Sequence, residues 1–435
     1  MDHAEQKRML MDVSVGAPMH KMMKRFWLPI ALSSDVTADG APLPVRALSQ
    51  DYVLFRDSAG NLGLLDELCT HRSASLCLGR NEGGGLRCLY HGWKYATDGT
   101  LVEAPNVQDP RFKDRVKQPA YAVQEKGGLV WGYFGPADQQ PELPHHPYFD
   151  LPEENVLSEI VVANANWSRT IEGLLDSSHT GVLHQDALKL LGTGKGPAPS
   201  FSGRARSSTG AVISKDLAPS IEVQETDFGL RYAALRSFTT PDGDSGTAAR
   251  ITTFSYPTTV AVPPDNLMQL MLPVDTERTH FFMVFWDEQR VINTGAAREE
   301  IFQYYGIDDT AKNKHGIGRA YKDLPDRPRK ENNWLQNRAA MADGSTFTGL
   351  YRFIPEDFAV GESMGPMELY PVEHLVPADL AIARFRRNVI DNAKRVDRGE
   401  EPRGLAPRQP ITAGYVELAE GHSWTEIYQG EASAQ

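Results

Sequence analysis

The sequence predicts two domains, a small all-β domain followed by a larger α+β domain whose antiparallel sheet is flanked by helices. The chain has 435 residues, enough for two to four domains of roughly 100–200 residues each. Short β-rich runs bounded by turn residues extend from about residue 27 to residue 137. A proline-rich stretch, QQPELPHHP, separates them from mixed helical and strand-like segments.

These boundaries define three expected units. Residues 1–26 form an N-terminal helical arm, with a helix from about Pro18 to Phe26 that packs on the larger domain. Residues 27–137 form the small β domain, and residues 138–435 form the larger domain. The chain contains no repeat with a period of about 20–50 residues, which argues against a solenoid or a propeller.

Charge and hydropathy exclude several classes of partner. The formal net charge is −12, so the chain lacks the basic surface that nucleic-acid binding requires. No apolar run approaches the roughly 20 residues needed to span a bilayer. The N-terminus, MDHAEQKRML, is charged where a signal peptide would be apolar. We therefore expect a cytoplasmic protein without nucleic-acid or membrane partners.

The three cysteines are too few for a disulfide framework, but two of them form a metal-binding pattern. Cys69 lies two residues before His71, and Cys88 lies three residues before His91. Zinc fingers usually group like ligands, whereas each of these pairs mixes a thiolate and an imidazole. Mixed pairs are typical of a [2Fe–2S] cluster in which two histidines bind one iron and two cysteines bind the other.

The alternatives at this position are a zinc site and a set of scattered core residues. Trp93 and Tyr95 are expected to shield the cluster from water. Cys77 has no histidine partner at either spacing, so we interpret it as a small buried hydrophobic residue.

These motifs, CTHR and CLYHGWKY followed by DGT, resemble the Rieske domain of the ring-hydroxylating non-haem iron oxygenases. The stretch QEKGGLVWGYFGP resembles the strand that closes that domain. The resemblance implies that the larger domain is a helix-grip-like catalytic domain with a mononuclear iron. Many relatives have glycine where this chain has Ser73.

A second metal-binding pattern lies in NWSRTIEGLLDSSHTGVLHQD, at residues 166–186. The pattern predicts a helix over Trp167 to Leu175, with Asp176 and His179 on one helix face. A distortion at Gly181 would bring His179 and His184 onto one metal. Two histidines and a distant carboxylate form the facial triad of non-haem Fe(II) oxygenases. In isolation the same pattern would favour surface or capping residues, but the Rieske motif upstream reverses that preference.

The resemblance assigns His179 and His184 as iron ligands and Asp176 as a bridging carboxylate. In the family, electrons pass between subunits, which here implies a path from His91 of one chain through Asp176 to His179 of the next. The resemblance therefore implies that the protein forms a homotrimer or a hexamer of stacked trimers.

The third iron ligand cannot be chosen by spacing, because the chain has 57 acidic residues. The segment FTGLYRFIPEDFAVGESMGPM resembles the corresponding segment of the phthalate 4,5-dioxygenase group, in which the matching ligand is Asp357. Glu356 is the adjacent alternative, and Asp343 and Glu362 are weaker ones. Similarity to this group extends over nearly the whole chain, apart from about residues 188–245.

Members of this branch act on aromatic carboxylates or their ethers, and arginine binds both oxygens of a carboxylate. Arg250 matches a substrate-binding arginine of relatives; the alternative is an exposed strand arginine in a surface ion pair. Arg204 and Arg206 are weaker candidates. Ser177 and Ser178 either contact substrate or form local helix hydrogen bonds.

The expected function is that of a terminal oxygenase that uses O₂ to hydroxylate an aromatic carboxylate, by dihydroxylation or monooxygenation. No G-x-G-x-x-G fingerprint is present, so NAD(P)H and flavin are expected on a separate reductase. One alternative is an O-demethylase of methoxylated or ether-linked aromatic acids. The alternative from another class is a Rieske electron carrier without oxygenase activity.

Overall fold

The computed structural model describes residues 2–188, 216–239, 245–263, 266–313, 327–366, 373–418 and 421–428. The N-terminal β region (residues 27–133) contains two antiparallel sheets. Its strands are β1 (Trp27–Leu32), β2 (Leu43–Ala47), β3 (Gln50–Arg56), β4 (Leu62–Asp66), β5 (Arg80–Asn81), β6 (Leu86–Arg87), β7 (Lys94–Tyr95), β8 (Leu101–Glu103), β9 (Ala120–Lys126) and β10 (Leu129–Tyr133). One sheet has the order β1-β10-β9-β4-β3-β2, and the other has the order β5-β6-β7-β8.

The C-terminal region (residues 156–418) is built on one antiparallel sheet. Its strands are β11 (Val156–Ala163), β12 (Ser220–Thr226), β13 (Gly229–Thr239), β14 (Ser245–Ser255), β15 (Thr259–Ala261), β16 (Leu267–Pro273), β17 (Thr279–Trp286) and β18 (Gly414–Leu418). The strand order is β11-β17-β16-β15-β14-β13-β12, and β18 pairs with β14. All described pairings in this sheet are antiparallel.

Helices lie before, within and after this sheet in the chain. The N-terminal pair is α1 (His3–Met11) and α2 (Pro18–Met23). The others are α3 (Trp167–Leu175), α4 (Thr180–Leu183), α5 (Gly295–Tyr305), α6 (Asp309–Asn313), α7 (Arg338–Ala342), α8 (Phe353–Ser363) and α9 (Leu380–Asp397). An all-β unit followed by an antiparallel sheet with helices confirms the predicted fold class.

The N-terminal arm packs on the last long helix. Residues Ala381, Phe385, Val389 and Ala393 recur every four positions in α9 and are buried, which gives that helix one apolar face. Helices α1 and α2 contact α9, and Lys21 Nζ lies 2.7 Å from Asp397 Oδ1.

One hydrophobic core connects the two regions. It includes Leu28 and Trp131 of the N-terminal β region together with Leu270 and Phe282 of the C-terminal region. A second, smaller core surrounds the two loops that carry the cysteine–histidine pairs. Among the described helices, none combines the length and the hydropathy that crossing a lipid bilayer requires.

Candidate metal centres and substrate site

The two cysteine–histidine pairs lie on neighbouring loops of the N-terminal β region. Cys69 and His71 follow β4, and Cys88 and His91 lie between β6 and β7. Each loop closes in a tight turn. The N–H of Ser73 donates to the carbonyl of Cys69 at 2.8 Å, and the N–H of Gly92 donates to the carbonyl of Cys88 at 3.0 Å. The loops therefore bring all four side chains to one end of the β6–β7 hairpin.

These side chains suit a cluster with two thiolate and two imidazole ligands. Both cysteines are buried and free, and burial, with a contribution from neighbouring Cys69, raises the pKa of Cys88. The rings of His71 and His91 lie 4.5 Å apart, and His91 Nδ1 is buried without a hydrogen-bond partner. Burial, His91 and Arg72 lower the pKa of His71, favouring the neutral form that a metal ligand requires.

Neighbouring side chains fix the first ligand loop. The Tyr95 hydroxyl lies 3.1 Å from Cys69 Sγ and 3.0 Å from Thr70 Oγ1. The fully buried side-chain amide of Gln118 accepts from Thr70 N–H. It donates to the carbonyls of Asp66, at the end of β4, and Leu68, in the loop. Trp93 stacks on His71 with ring centroids 4.4 Å apart. Trp93 and Tyr95 are both buried, as expected for residues that exclude water from this site.

Cys77 packs against the smaller core that surrounds the two ligand loops, and it is partly buried. Burial, with a contribution from Glu67, raises the pKa of its thiol to about 11. A thiol that stays protonated at neutral pH is a poor nucleophile and a poor ligand.

The segment after α3 differs from the sequence prediction, because the helix ends before the metal-binding residues. Asp176 terminates α3 in an extended conformation, and His179 and His184 flank the short helix α4. Asp176 Oδ1 accepts hydrogen bonds from Ser178 N–H at 2.7 Å and Ser178 Oγ at 2.6 Å. Such local bonds compete with helical ones. Asp176 and His179 therefore do not share a helix face, and the chain turns at residues 176–178 while Gly181 stays helical.

Three side chains converge beside this turn. One ligand atom each from His179, His184 and Asp357 lies within 4.8 Å of the other two. Asp357 Oδ1 is 3.0 Å from His184 Nε2 and 3.6 Å from His179 Nε2. Asp176 lies behind His179, with Oδ2 3.6 Å from Nδ1. Among the described residues this is the only such three-ligand group, and two histidines with one carboxylate suit Fe(II).

The charges of this group also suit a cation. Burial opposes protonation of His184, yet the carboxylates of Asp357 and Glu356 raise its pKa to about 9. Burial likewise opposes ionisation of Asp176, but hydrogen bonds from His179 and Ser178 outweigh burial and hold the Asp176 pKa below its usual range. The group therefore favours a positive charge, which a bound divalent metal would supply.

The alternative carboxylates have other roles. Glu356 accepts a hydrogen bond on the far side of the His184 ring, at 2.7 Å from Nδ1. Glu362 accepts from the N–H of Asn164 at 2.9 Å and from Trp334 Nε1 at 3.1 Å. Asp343 is exposed and accepts from a nearby backbone N–H at 2.9 Å.

The two candidate substrate-binding residues contact each other. Arg250 Nη1 donates to Ser177 Oγ at 2.8 Å, and Ser177 Oγ lies 3.2 Å from the hydroxyl of Tyr232. Ser177 follows Asp176 directly and precedes His179 by two positions. Arg250 is buried, so the interpretation of this residue as an exposed strand arginine is wrong.

A second arginine, Arg236, was not singled out by the sequence. Its Nη2 donates to the carbonyl of Ser177 at 2.7 Å, and its buried Nη1 has no hydrogen-bond partner. Burial and the neighbouring Arg250 lower the Arg236 pKa. Within the described residues, neither arginine forms an ion pair with a carboxylate. The sequence signal for this pair is an arginine within each of two adjacent, mostly apolar strands. Arg236 lies in RYAALRSF, and Arg250 lies in AARITTF.

Strand register explains how the two arginines meet. Ala234 pairs with Arg250, and Arg236 pairs with Ala248, so both arginines project from the same face of β13 and β14. The opposite face holds an apolar cluster that includes Ile251 and Trp424. Arg204 and Arg206, the weaker candidates, lie outside the described residues.

A cavity of about 360 Å³ opens beside Asp176. Its lining includes Asp176, His179, Asp357 and His374, a histidine to which the sequence assigned no role. Exposed apolar side chains at its rim include Val360, Met364 and Leu375.

Comparisons with known proteins cover both regions. Residues 26–121 match the family model for the Rieske [2Fe-2S] domain, and residues 132–418 match the model described as LigXa C-terminal domain like. The phthalate 4,5-dioxygenase oxygenase subunit of Pseudomonas putida is 36% identical over 93% of this chain and 89% of its own length. The 5,5'-dehydrodivanillate O-demethylase oxygenase subunit of a Sphingobium strain is 28% identical over 92% of this chain and 83% of its own.

The solved structure of NdmA from Pseudomonas putida CBB5 superposes with a TM-score of 0.53. It covers 93% of this chain and 100% of its own, at 19% identity, and it therefore bears on the fold alone.

Proposed function

Because the chain belongs to the Rieske non-haem iron oxygenases of the phthalate 4,5-dioxygenase group, we propose that it hydroxylates an aromatic carboxylate as a terminal oxygenase. Enzymes of this family use a [2Fe–2S] cluster, a mononuclear iron and electrons from NAD(P)H and flavin on a separate reductase. The observation that carries the substrate proposal is the contact of buried Arg250 with Ser177, two residues before His179.

The metal ligands proposed for this chain follow from the donor groups. Cys69, His71, Cys88 and His91 hold the cluster, and His179, His184 and Asp357 hold the mononuclear iron. When iron is bound, it supplies activation of O₂ at the coordination positions that three protein ligands leave open. The buried rings of Trp93 and Tyr95 exclude water from the cluster loops.

The proposed substrate is anionic because the site holds buried positive charge. Burying a cation without a partner is costly, and Arg236 and Arg250 have no carboxylate partner among the described residues. A substrate carboxylate bound to Arg250 provides the missing negative charge. Ser177, which contacts Arg250, orients this arginine so that the aromatic ring is directed towards the iron ligands.

O-demethylation of a methoxylated aromatic acid is the second candidate. It uses the same metal ligands, and hydroxylation of the methoxy carbon releases formaldehyde and leaves a phenol. The 28% identity to an O-demethylase oxygenase subunit supports this second candidate. The family argues against the electron-carrier alternative, which needs no mononuclear site.

We also propose a homo-oligomer, a trimer or a hexamer, in which the cluster loops of one chain face Asp176 of the next. The loops carry exposed Leu89 and Tyr90, while the rim beside Asp176 carries exposed Met364 and Leu375. Exposed apolar patches of this kind are typical of interfaces, and two different patches per chain suit a closed ring. A cytoplasmic location stays a prediction.

Three measurements test these proposals. About three irons per two acid-labile sulfides support an oxygenase, and about two per two support a carrier. Product analysis with a panel of phthalate, benzoates, methoxybenzoates and their neutral amides, supplied with reductase, then separates dihydroxylation, monooxygenation and demethylation. Turnover of the amides in preference to the acids would contradict the role of Arg250. A monomer with full coupled turnover in sedimentation would contradict the oligomer.

A further inference from the structure

We propose that Glu356 is a positioning residue that, together with Thr348, fixes the orientation and the tautomer of His184 so that Nε2 faces the metal. This inference rests on the proposed mononuclear centre. It gives Glu356 a role distinct from that of the adjacent Asp357, which is the ligand.

The hydrogen bonds of Glu356 leave neither carboxylate oxygen free. One oxygen lies 2.7 Å from His184 Nδ1, and the other accepts from Thr348 Oγ1 at 2.6 Å. Glu356, Thr348 and His184 are all buried. An ionised carboxylate only accepts hydrogen bonds, so the proton of the neutral imidazole must be on Nδ1. The lone pair is then on Nε2.

The atom on the other side of the ring behaves as an unused ligand. His184 Nε2 is buried and has no partner with hydrogen-bond geometry, although Asp357 Oδ1 lies 3.0 Å away. Two acceptors that approach each other this closely repel unless a cation or a proton lies between them. Either a proton on Nε2 or a metal ion can lie there, and metal binding displaces the proton from Nε2 while Glu356 keeps the proton on Nδ1.

Helix geometry explains why adjacent carboxylates reach opposite edges of one ring. Successive residues of a helix are rotated by about 100°, so Glu356 and Asp357 project in different directions from the first turns of α8. That helix begins at Phe353, and the positive end of its dipole stabilises a carboxylate in its first turn. Phe353 itself stacks on His184 with ring centroids 3.8 Å apart and planes at 16°. The imidazole is thus held at one edge and one face.

A hydrogen-bonded carboxylate also makes the imidazole a stronger ligand. Removing such a partner from a metal-bound histidine typically lowers metal affinity roughly 10- to 100-fold. Glutamine in place of Glu356 keeps an oxygen for Nδ1 but loses the charge, so its affinity is expected to lie between those of the wild type and the alanine variant. Valine in place of Thr348 removes only the second bond, and a smaller loss is expected.

The test compares Glu356→Ala, Glu356→Gln and Thr348→Val in the full-length chain with its cluster intact. Glu362→Gln is the matched control, because Glu362 is a partly buried glutamate of the same helix whose hydrogen bonds go to Asn164 and Trp334. Fe(II) affinity is measured anaerobically by competition with a chelator. The ligand field of the mononuclear site is read from the EPR spectrum with nitric oxide as a probe while the cluster is oxidised and EPR-silent.

The expected result is a roughly 10- to 100-fold loss of Fe(II) affinity in Glu356→Ala, partial recovery in Glu356→Gln and an altered EPR spectrum in both. Cluster absorption stays unchanged, and Glu362→Gln matches the wild type. Wild-type affinity and spectrum in Glu356→Gln, or an equal loss in Glu362→Gln, would overturn the inference. If the wild-type chain binds no mononuclear iron, the proposed centre fails first, and with it this inference.

Discussion

Nε2 of His184 lies 3.0 Å from Oδ1 of Asp357, and the two residues are far apart in the chain. This contact supports Asp357 as the carboxylate of the proposed iron site. In Asp357→Ala, the Rieske absorption should remain while the mononuclear iron and oxygenation are lost. Iron content should fall from about three to about two atoms per chain. Asp343→Asn is the control, and full activity in Asp357→Ala would exclude Asp357 as a ligand.

Asp176→Asn tests the proposed path between subunits. The substitution keeps the shape of the side chain but removes the charge that His179 and Ser178 stabilise. We expect both metals to stay bound and electron transfer from the reduced cluster to slow by roughly 10- to 100-fold, as for other carboxylates behind a ligand histidine. Stopped-flow reoxidation of the cluster with substrate and O₂ measures this rate. Reoxidation at the wild-type rate would remove Asp176 from the path.

Arg250→Met tests recognition of the substrate carboxylate. Loss of a buried charge partner costs about 2 kcal/mol or more, so KM for the best aromatic acid should rise about 30-fold or more. Arg231→Met is the matched control, since Arg231 is buried on β13 but projects from the opposite sheet face. An unchanged KM in Arg250→Met, or an equal rise in Arg231→Met, would contradict this role.

Tyr95→Phe should lower the reduction potential of the cluster. A hydroxyl that donates to Cys69 Sγ stabilises the more negative, reduced state, and hydrogen bonds to ligand sulfurs tune such potentials. Loss of about 1 kcal/mol corresponds to about 40 mV for a one-electron couple. Redox titration followed by EPR measures the shift. Tyr121→Phe, whose hydroxyl donates to Asp66 instead, should leave the potential unchanged.

His146 should make the protein less stable in mild acid. The ring is stacked between Trp131 and Tyr148, and burial, helped by His145, lowers the His146 pKa to about 3. The unfolded chain takes up this proton near pH 6.5, so stability falls as the pH decreases from about 6.5 towards 3, by about 1.4 kcal/mol per pH unit. Thermal unfolding of His146→Phe should lack this component, and His145→Gln should retain it. Parallel pH profiles for wild type and His146→Phe would contradict the prediction.

The sequence predicts the fold class and the order of the domains because these depend on local patterns. Strand-length runs between turns predicted the all-β unit, and the helix at Trp167–Leu175 ends where the sequence places it. The two cysteine–histidine pairs indicated a [2Fe–2S] cluster because each pair combines a thiolate and an imidazole at short spacing.

What the sequence did not predict depends on contacts between distant residues. Hydrogen bonds from Ser178 to Asp176 form the turn that keeps Asp176 and His179 off a common helix face, and a periodicity argument cannot detect such a turn. Spacing alone could not separate Glu356 from Asp357; the resemblance assigned Asp357, and only the position of His184 reveals the separate contact of Glu356. Arg236 reaches Ser177 through the register of two strands, and register is a property of the whole sheet.

The core that joins the two regions limits how electrons can travel. Leu28 and Trp131 pack in the same core as Phe282, and the proline-rich connection is itself anchored, with His146 buried and His145 N–H donating to the carbonyl of Pro407 at 2.7 Å. These contacts attach the segment to both regions, so it is not a free linker between them. In the proposed ring, a substitution at the subunit contact would then alter turnover by changing the tunnelling distance between the redox centres of neighbouring subunits.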